Sequence, residues 1–339
     1  MRSPLAHLQQ PPRRPGSRLR LWVACGLLGG CTAPASAPPA AAPHASPAPA
    51  HGAVPDTSAA SALPADPARS PQGEACGALD CRRFDDAATA FRYVLGQAPL
   101  ALGIGEAHAR AGSEAVPTTA ARFSEQLLPV LAGRASHLIV ELLSPNPECP
   151  AAARPLEEAQ KPVTLPQSRQ NKNDYVELGS HARALGIEPF ILTPTCDEFR
   201  AIENAGDDAI VRTLSTIASI TSRMLRKALV QNRNQGLDQL VLAYGGALHN
   251  DLSSAEHQSK TTRASFSYGA GLNDFTGGRY LALDLIVREF IVDNAVWRAL
   301  PWYGHFDPET DPDSSVVLMT SPQSYVLFFP KTPAPAPGQ

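Results

Sequence analysis

Two stretches of this sequence end an apolar run with a glycine and place a histidine three residues later. The first reads Gly103-Ile104-Gly105-Glu106-Ala107-His108, and the second Tyr244-Gly245-Gly246-Ala247-Leu248-His249. Between them, Glu141 directly follows the apolar Leu138-Ile139-Val140. Glycine permits a sharp exit from a strand, so each histidine falls just past a strand's carboxyl edge. In open α/β sheets that edge is where ligand sites form. A carboxylate ending an apolar strand must be paired or functional. Glu106, His108, Glu141 and His249 are therefore the candidate catalytic residues. Two histidines and two carboxylates suit acid–base work or a divalent metal, with His108, Glu141 and His249 as the expected ligands. Each alone has a plainer reading: a hydrogen-bonding structural histidine, or a glutamate paired with an arginine. A G-x-S-x-G elbow, a Walker A loop and an H-E-x-x-H helix are all missing, which removes sequence support for three common hydrolase classes.

The elements that must hold these residues alternate between strand-like and helix-like patterns. Apolar runs at 99–104, 137–142, 187–192 and 239–244 predict buried strands, with later candidates at 280–290, 315–320 and 325–329. Helical spacing covers 85–95, 118–131, 173–185 and 207–231, with Asp85 or Asp86 and Thr118 or Thr119 as caps. The expected fold is α/β: a largely parallel central sheet, helices on both faces and a site at the carboxyl edge of the strands. The connection from Ser144 to about Asn171, rich in proline and charge, reads as a functional lid or an unstructured segment.

With G-E-A-H after the first strand, Glu141 after the second and G-A-L-H after a later one, the chain resembles a known superfamily. That group joins Tiki-type proteases, TraB/PrgY proteins, erythromycin esterases and ChaN-type haem-binding lipoproteins. The resemblance covers roughly Leu100 to Asn250 and rests on these short motifs. It implies an α/β fold in which Glu106, His108, Glu141 and His249 match the group's site. Tiki-type members imply a divalent metal that activates water, esterase-like members imply histidine as general base, and ChaN-type members imply haem. The group also implies a basic residue on the following helix, for which Arg110 and Arg122 both qualify. His181 reads as a surface residue, while His257, His305, Tyr268 and Tyr303 carry no assigned role.

The start of the chain supplies an address. Residues 1–20 hold Arg13, Arg14, Arg18 and Arg20 without an acid, and a short apolar run leads to Leu28-Gly29-Gly30-Cys31. This describes a signal peptide over 1–30 that resembles a lipobox, with lipid expected on Cys31. An ordinary signal peptide is the rival, and a twin-arginine signal fits less well. Residues 31–72 are dominated by Ala, Pro and Ser and read as a disordered tether. A single domain is expected over 73–331, followed by a disordered tail over 332–339. Four further cysteines in an exported chain read as disulfides, with Cys76–Cys81 and Cys149–Cys196 the preferred pairs over a zinc site. A net charge of −3 with no basic face argues against nucleic acid.

The combined expectation is an exported lipoprotein on a membrane, the outer one where the cell has two, acting as a metal-assisted hydrolase. Its substrate would be a small-molecule or peptide ester or amide. The alternative is a haem- or iron-binding uptake lipoprotein without turnover.

Overall fold

Apolar runs bounded by glycine, proline and polar residues become the inner strands of one sheet. The computed structural model describes residues 71–149, 164, 166–252 and 266–333. The signal peptide, Cys31, most of the tether, His257 and much of the 144–171 connection lie outside them. The strands are β1 (Glu74–Ala75), β2 (Arg82–Phe84), β3 (Ala101–Glu106), β4 (Ala135–Leu143), β5 (Glu188–Leu192), β6 (Leu240–Gly246), β7 (Tyr280–Ile286), β8 (Ser315–Ser321) and β9 (Ser324–Phe328). Their order across the sheet is β1-β2-β8-β9-β7-β3-β6-β4-β5. From β9 to β5 every neighbouring pair is parallel, while β8 runs antiparallel to both β9 and β2. The fold is thus α/β with a mostly parallel mixed sheet, and β3 and β6, which carry the two histidine motifs, are direct neighbours at its centre.

Helices fill the connections. They are α1 (Ala87–Leu95), α2 (Thr119–Arg122), α3 (Gln170–Ala184), α4 (Cys196–Glu203), α5 (Ala209–Asn234), α6 (Gly269–Phe275) and α7 (Ala295–Arg298). Asp86 caps α1 by accepting from Thr89 N at 2.7 Å, and Thr118 caps α2 by accepting from Ala121 N at 3.0 Å. The helix expected over 118–131 does not run through in one form. It widens into a π turn at Phe123–Leu127 and tightens to 3-10 at Leu128–Leu131. Pro129 has no backbone N–H to give, so regular bonding cannot pass it. The short α4 escaped the sequence pattern, although Thr195 and Glu198 form a reciprocal capping box at its start.

Alternate residues of a strand face opposite ways, and the core follows that rule. Leu138 and Val140 of β4 pack with Tyr175 and Leu178 of α3 and with Phe91 of α1. Ile139 and Leu143 of the same strand pack with Phe199 of α4 and with Ile217, Ile220 and Leu225 of α5. A third cluster gathers Trp297, Trp302 and Phe328 beside β8 and β9.

Both expected disulfides form. Cys76 pairs with Cys81 across a Cα separation of 5.1 Å, and Cys149 with Cys196 across 5.7 Å. The second ties the 144–149 segment to the first residue of α4.

The sheet is closely packed at Gly103 of β3. A Cβ there would overlap the Tyr280 hydroxyl and lie 2.9 Å from Asn250 Cβ. That hydroxyl is already committed, donating to the Asn250 carbonyl at 2.7 Å. Gly103→Ala should therefore destabilise the protein by ~1–3 kcal/mol, read as a lower urea midpoint at unchanged slope. An unaltered midpoint would contradict this packing.

Candidate functional site

Glu106, the last residue of β3, is almost wholly buried at 1 % exposure. Its carboxylate is satisfied by three side-chain donors from three elements. Tyr175 of α3 donates its hydroxyl to Oε1 at 2.9 Å, Tyr244 of β6 donates to Oε2, and His108 Nδ1–H donates to Oε1 at 2.6 Å. Burial first, and then the charge of Glu106, push both tyrosine hydroxyls well above the usual phenol range. They stay protonated and can only serve as donors to the carboxylate. With Nδ1 holding the proton toward Glu106, neutral His108 carries its lone pair on Nε2. A carboxylate that orients a histidine this way prepares it to take a proton.

Glu141 and His249 form a second pair. Glu141 Oε2 accepts the backbone N–H of Gly246 at 2.8 Å. Gly245 makes room for this, since a Cβ there would overlap the carboxylate. His249 Nδ1–H donates to the Phe266 carbonyl at 2.6 Å, which turns Nε2 toward Glu141 Oε1 at 3.6 Å. That gap is longer than a hydrogen bond. A lone pair facing a carboxylate suits a shared proton or a cation between them. For a metal, however, His249 and Glu141 give two donors where catalytic zinc sites use three protein ligands. No three His, Cys, Asp or Glu among the described residues are grouped to hold an ion. The observed arrangement therefore does not fit a three-ligand centre built from His108, Glu141 and His249.

The two pairs leave the sheet on opposite sides. Glu106 lies two residues after Ile104, which packs with α3 and α1, and its tyrosine partners belong to that same cluster. Glu141 lies two residues after Ile139 and two before Leu143, both packed with α5. The four candidates thus gather at neighbouring strand ends as two histidine–carboxylate pairs, one per face.

A further strand end contributes a residue that the sequence reading passed over. Asp284 of β7 accepts Asn250 Nδ2–H at 3.0 Å, and a Cβ on Gly105 would lie 2.6 Å from its Oδ1. Burial first, then the nearby charge of Asp251, push its carboxyl up to about 7, against the pull of the Asn250 bond. The available signal was one acid within the apolar run Tyr280-Leu281-Ala282-Leu283-Asp284-Leu285-Ile286. Tyr175 and Tyr244 were missed as well, because a tyrosine in a helix or apolar strand looks like ordinary core.

The remaining candidates lie elsewhere. Arg122 donates to the Pro330 carbonyl at 2.7 Å and to Thr332 Oγ1 at 2.6 Å, and lies 3.6 Å from Glu289, so it holds the segment that follows β9. Arg110 is exposed and pairs with Gln167 through a backbone bridge. His181 is exposed and bonds Ser124 Oγ at 2.6 Å, and His305 is exposed on a turn. Tyr303 donates to Asp293 at 3.1 Å; Tyr268, by contrast, is buried next to the site, its backbone N–H donating to the His249 carbonyl at 2.9 Å. Comparison with family models, with curated proteins and with solved structures gives no match.

The raised carboxyl of Asp284 has a signed consequence. Between its ordinary 3.8 and about 7 the unfolded chain releases this proton while the folded chain keeps it. Its contribution to stability therefore falls as pH rises through that window and is level above it. Asp284→Asn removes this loss, so the variant should gain stability relative to the parent from pH 4 to 7. Urea denaturation at pH 4.5, 6 and 8 checks this, and parallel profiles for the two proteins would contradict it.

Proposed function

We propose that this protein is an exported hydrolase held to a membrane by lipid on Cys31, cleaving an ester or amide. We further propose that it belongs with the Tiki, TraB, erythromycin esterase and ChaN group. On this reading helices cover both faces of the sheet and the active site lies at the carboxyl edge of its strands. The observation that carries the proposal is the Glu106–His108 pair: a buried carboxylate, held by two tyrosines, donating orientation to a histidine.

In the proposed reaction His108 Nε2 takes a proton from water as its oxygen attacks the substrate carbonyl. Glu106 stabilises the imidazolium that results, and Tyr175 and Tyr244 keep Glu106 in place. As the tetrahedral intermediate collapses, the imidazolium returns the proton to the leaving alcohol or amine. Glu141 and His249 form the opposite side of the strand-end edge. No step passes through a metal ion, because the described residues offer only two suitable donors in one place.

The second reading is haem capture without turnover. It is favoured by one observation: His305 is exposed on a turn between Trp302, which is part of an aromatic cluster, and Phe306. Hydrolysis of p-nitrophenyl acetate by the purified protein separates the two readings. His108→Ala should lower kcat ~10²–10⁴-fold with the fold retained by circular dichroism, and Glu106→Gln should lower it in the same direction. Unchanged turnover in His108→Ala would sink the hydrolase reading, and a Soret band on adding haemin that is lost in His305→Ala would favour the other.

A further inference from the structure

The helix α5 presents one polar stripe beside its buried one. Ser215, Ala218, Ser219, Ser222, Arg223 and Arg226 recur at three- and four-residue spacing and so share a face. Together with Ser267, Tyr268 and Gly271 they line a groove of about 480 Å3. Its polar side chains are serine hydroxyls, a phenol and two guanidinium groups, with no carboxylate or imidazole among the lining residues. One of the two arginines is set in place: Arg226 donates to the Gly271 carbonyl at 2.9 Å and lies 5.0 Å over the Phe275 ring. The other, Arg223, pairs with Glu198 at 3.2 Å.

Tyr268 adds an independent pointer. It is 6 % exposed, it lines the groove, and its hydroxyl makes no hydrogen bond among the described residues. That hydroxyl is not among the buried polar atoms left without a partner; it opens onto the groove, where a ligand oxygen can accept from it. We propose that this groove is a binding site for an oxyanion, a phosphoryl or carboxylate group carried on a larger ligand. Ser215 and Ser267 spend their hydroxyl protons on backbone carbonyls, so the recognition rests on the two guanidinium forks, which match the oxygens of an anion.

The groove also joins the strand-end site. The Phe266 carbonyl accepts a hydrogen bond from His249 Nδ1–H, Ser267 Oγ donates to the His249 carbonyl at 3.2 Å, and Tyr268 N donates to it at 2.9 Å. Glu141 and Asp284 act electrostatically on the Tyr268 hydroxyl. If the hydrolase reading holds, on which this role depends, the substrate is an ester or amide bearing an anionic group.

Calorimetric titration of the purified protein with sodium phosphate, and separately with sodium acetate, tests the groove at ionic strength held constant with chloride. Saturable heat from either anion is expected, phosphate marking a phosphoryl site and acetate a carboxylate site. Arg226→Gln should weaken it about tenfold, the loss of one charged hydrogen bond. Tyr268→Phe, a milder change, should weaken it several-fold, and Arg233→Gln, farther along α5, should leave it unchanged. No saturable heat from either anion, or equal heat in Arg226→Gln and Tyr268→Phe, would overturn the proposal. Turnover of p-nitrophenyl acetate is read in parallel. Anion binding without turnover supports the groove and removes the hydrolase reading, whereas turnover without anion binding does the reverse.

Discussion

A carboxylate buried at the end of a strand must find donors, and that requirement organises the centre of this structure. Glu106 takes them from α3, from β6 and from the turn after β3, so three elements converge on one side chain. Removing a single donor would leave a buried charge undersatisfied, at a cost well above that of a surface contact. The same requirement sets the tautomer of His108 and keeps two tyrosines protonated. What holds the sheet end together and what prepares the histidine are one network.

Glycine provides the space for the other carboxylates. Gly245 lies under Glu141 and Gly105 faces Asp284, each where a methyl group would collide. The glycines of the two motifs therefore do more than turn the chain. They leave the strand ends bare on one face, so that acidic side chains from neighbouring strands can lie across them. Asn250, at 0 % exposure, then bridges β3 and β7 by donating to the Gly103 carbonyl at 3.3 Å and to Asp284.

The inner strands were legible because burial on both faces makes them continuous apolar runs, as in 101–106 and 240–246. The hairpin strands β1 and β2 were not, being two and three residues long with little apolar content. The four candidate residues were legible from position alone, each at or just past a strand end. Their division into two pairs was not, because it depends on which face each carboxylate takes, and Glu106 and Glu141 sit at opposite phases of the two-residue period. Likewise Asp284 belongs to a strand whose motif lacks glycine and histidine, so only its charge within an apolar run marked it.

The central claim is that Glu106 holds His108 with its proton on Nδ1 and its lone pair on Nε2. Nitrogen-15 NMR of the imidazole side chains at neutral pH tests it most directly. The account predicts a protonated, pyrrole-type Nδ1 and a pyridine-type Nε2 for His108, with that preference lost in Glu106→Gln. The opposite tautomer in the parent protein, or a pattern indifferent to Glu106→Gln, would contradict it.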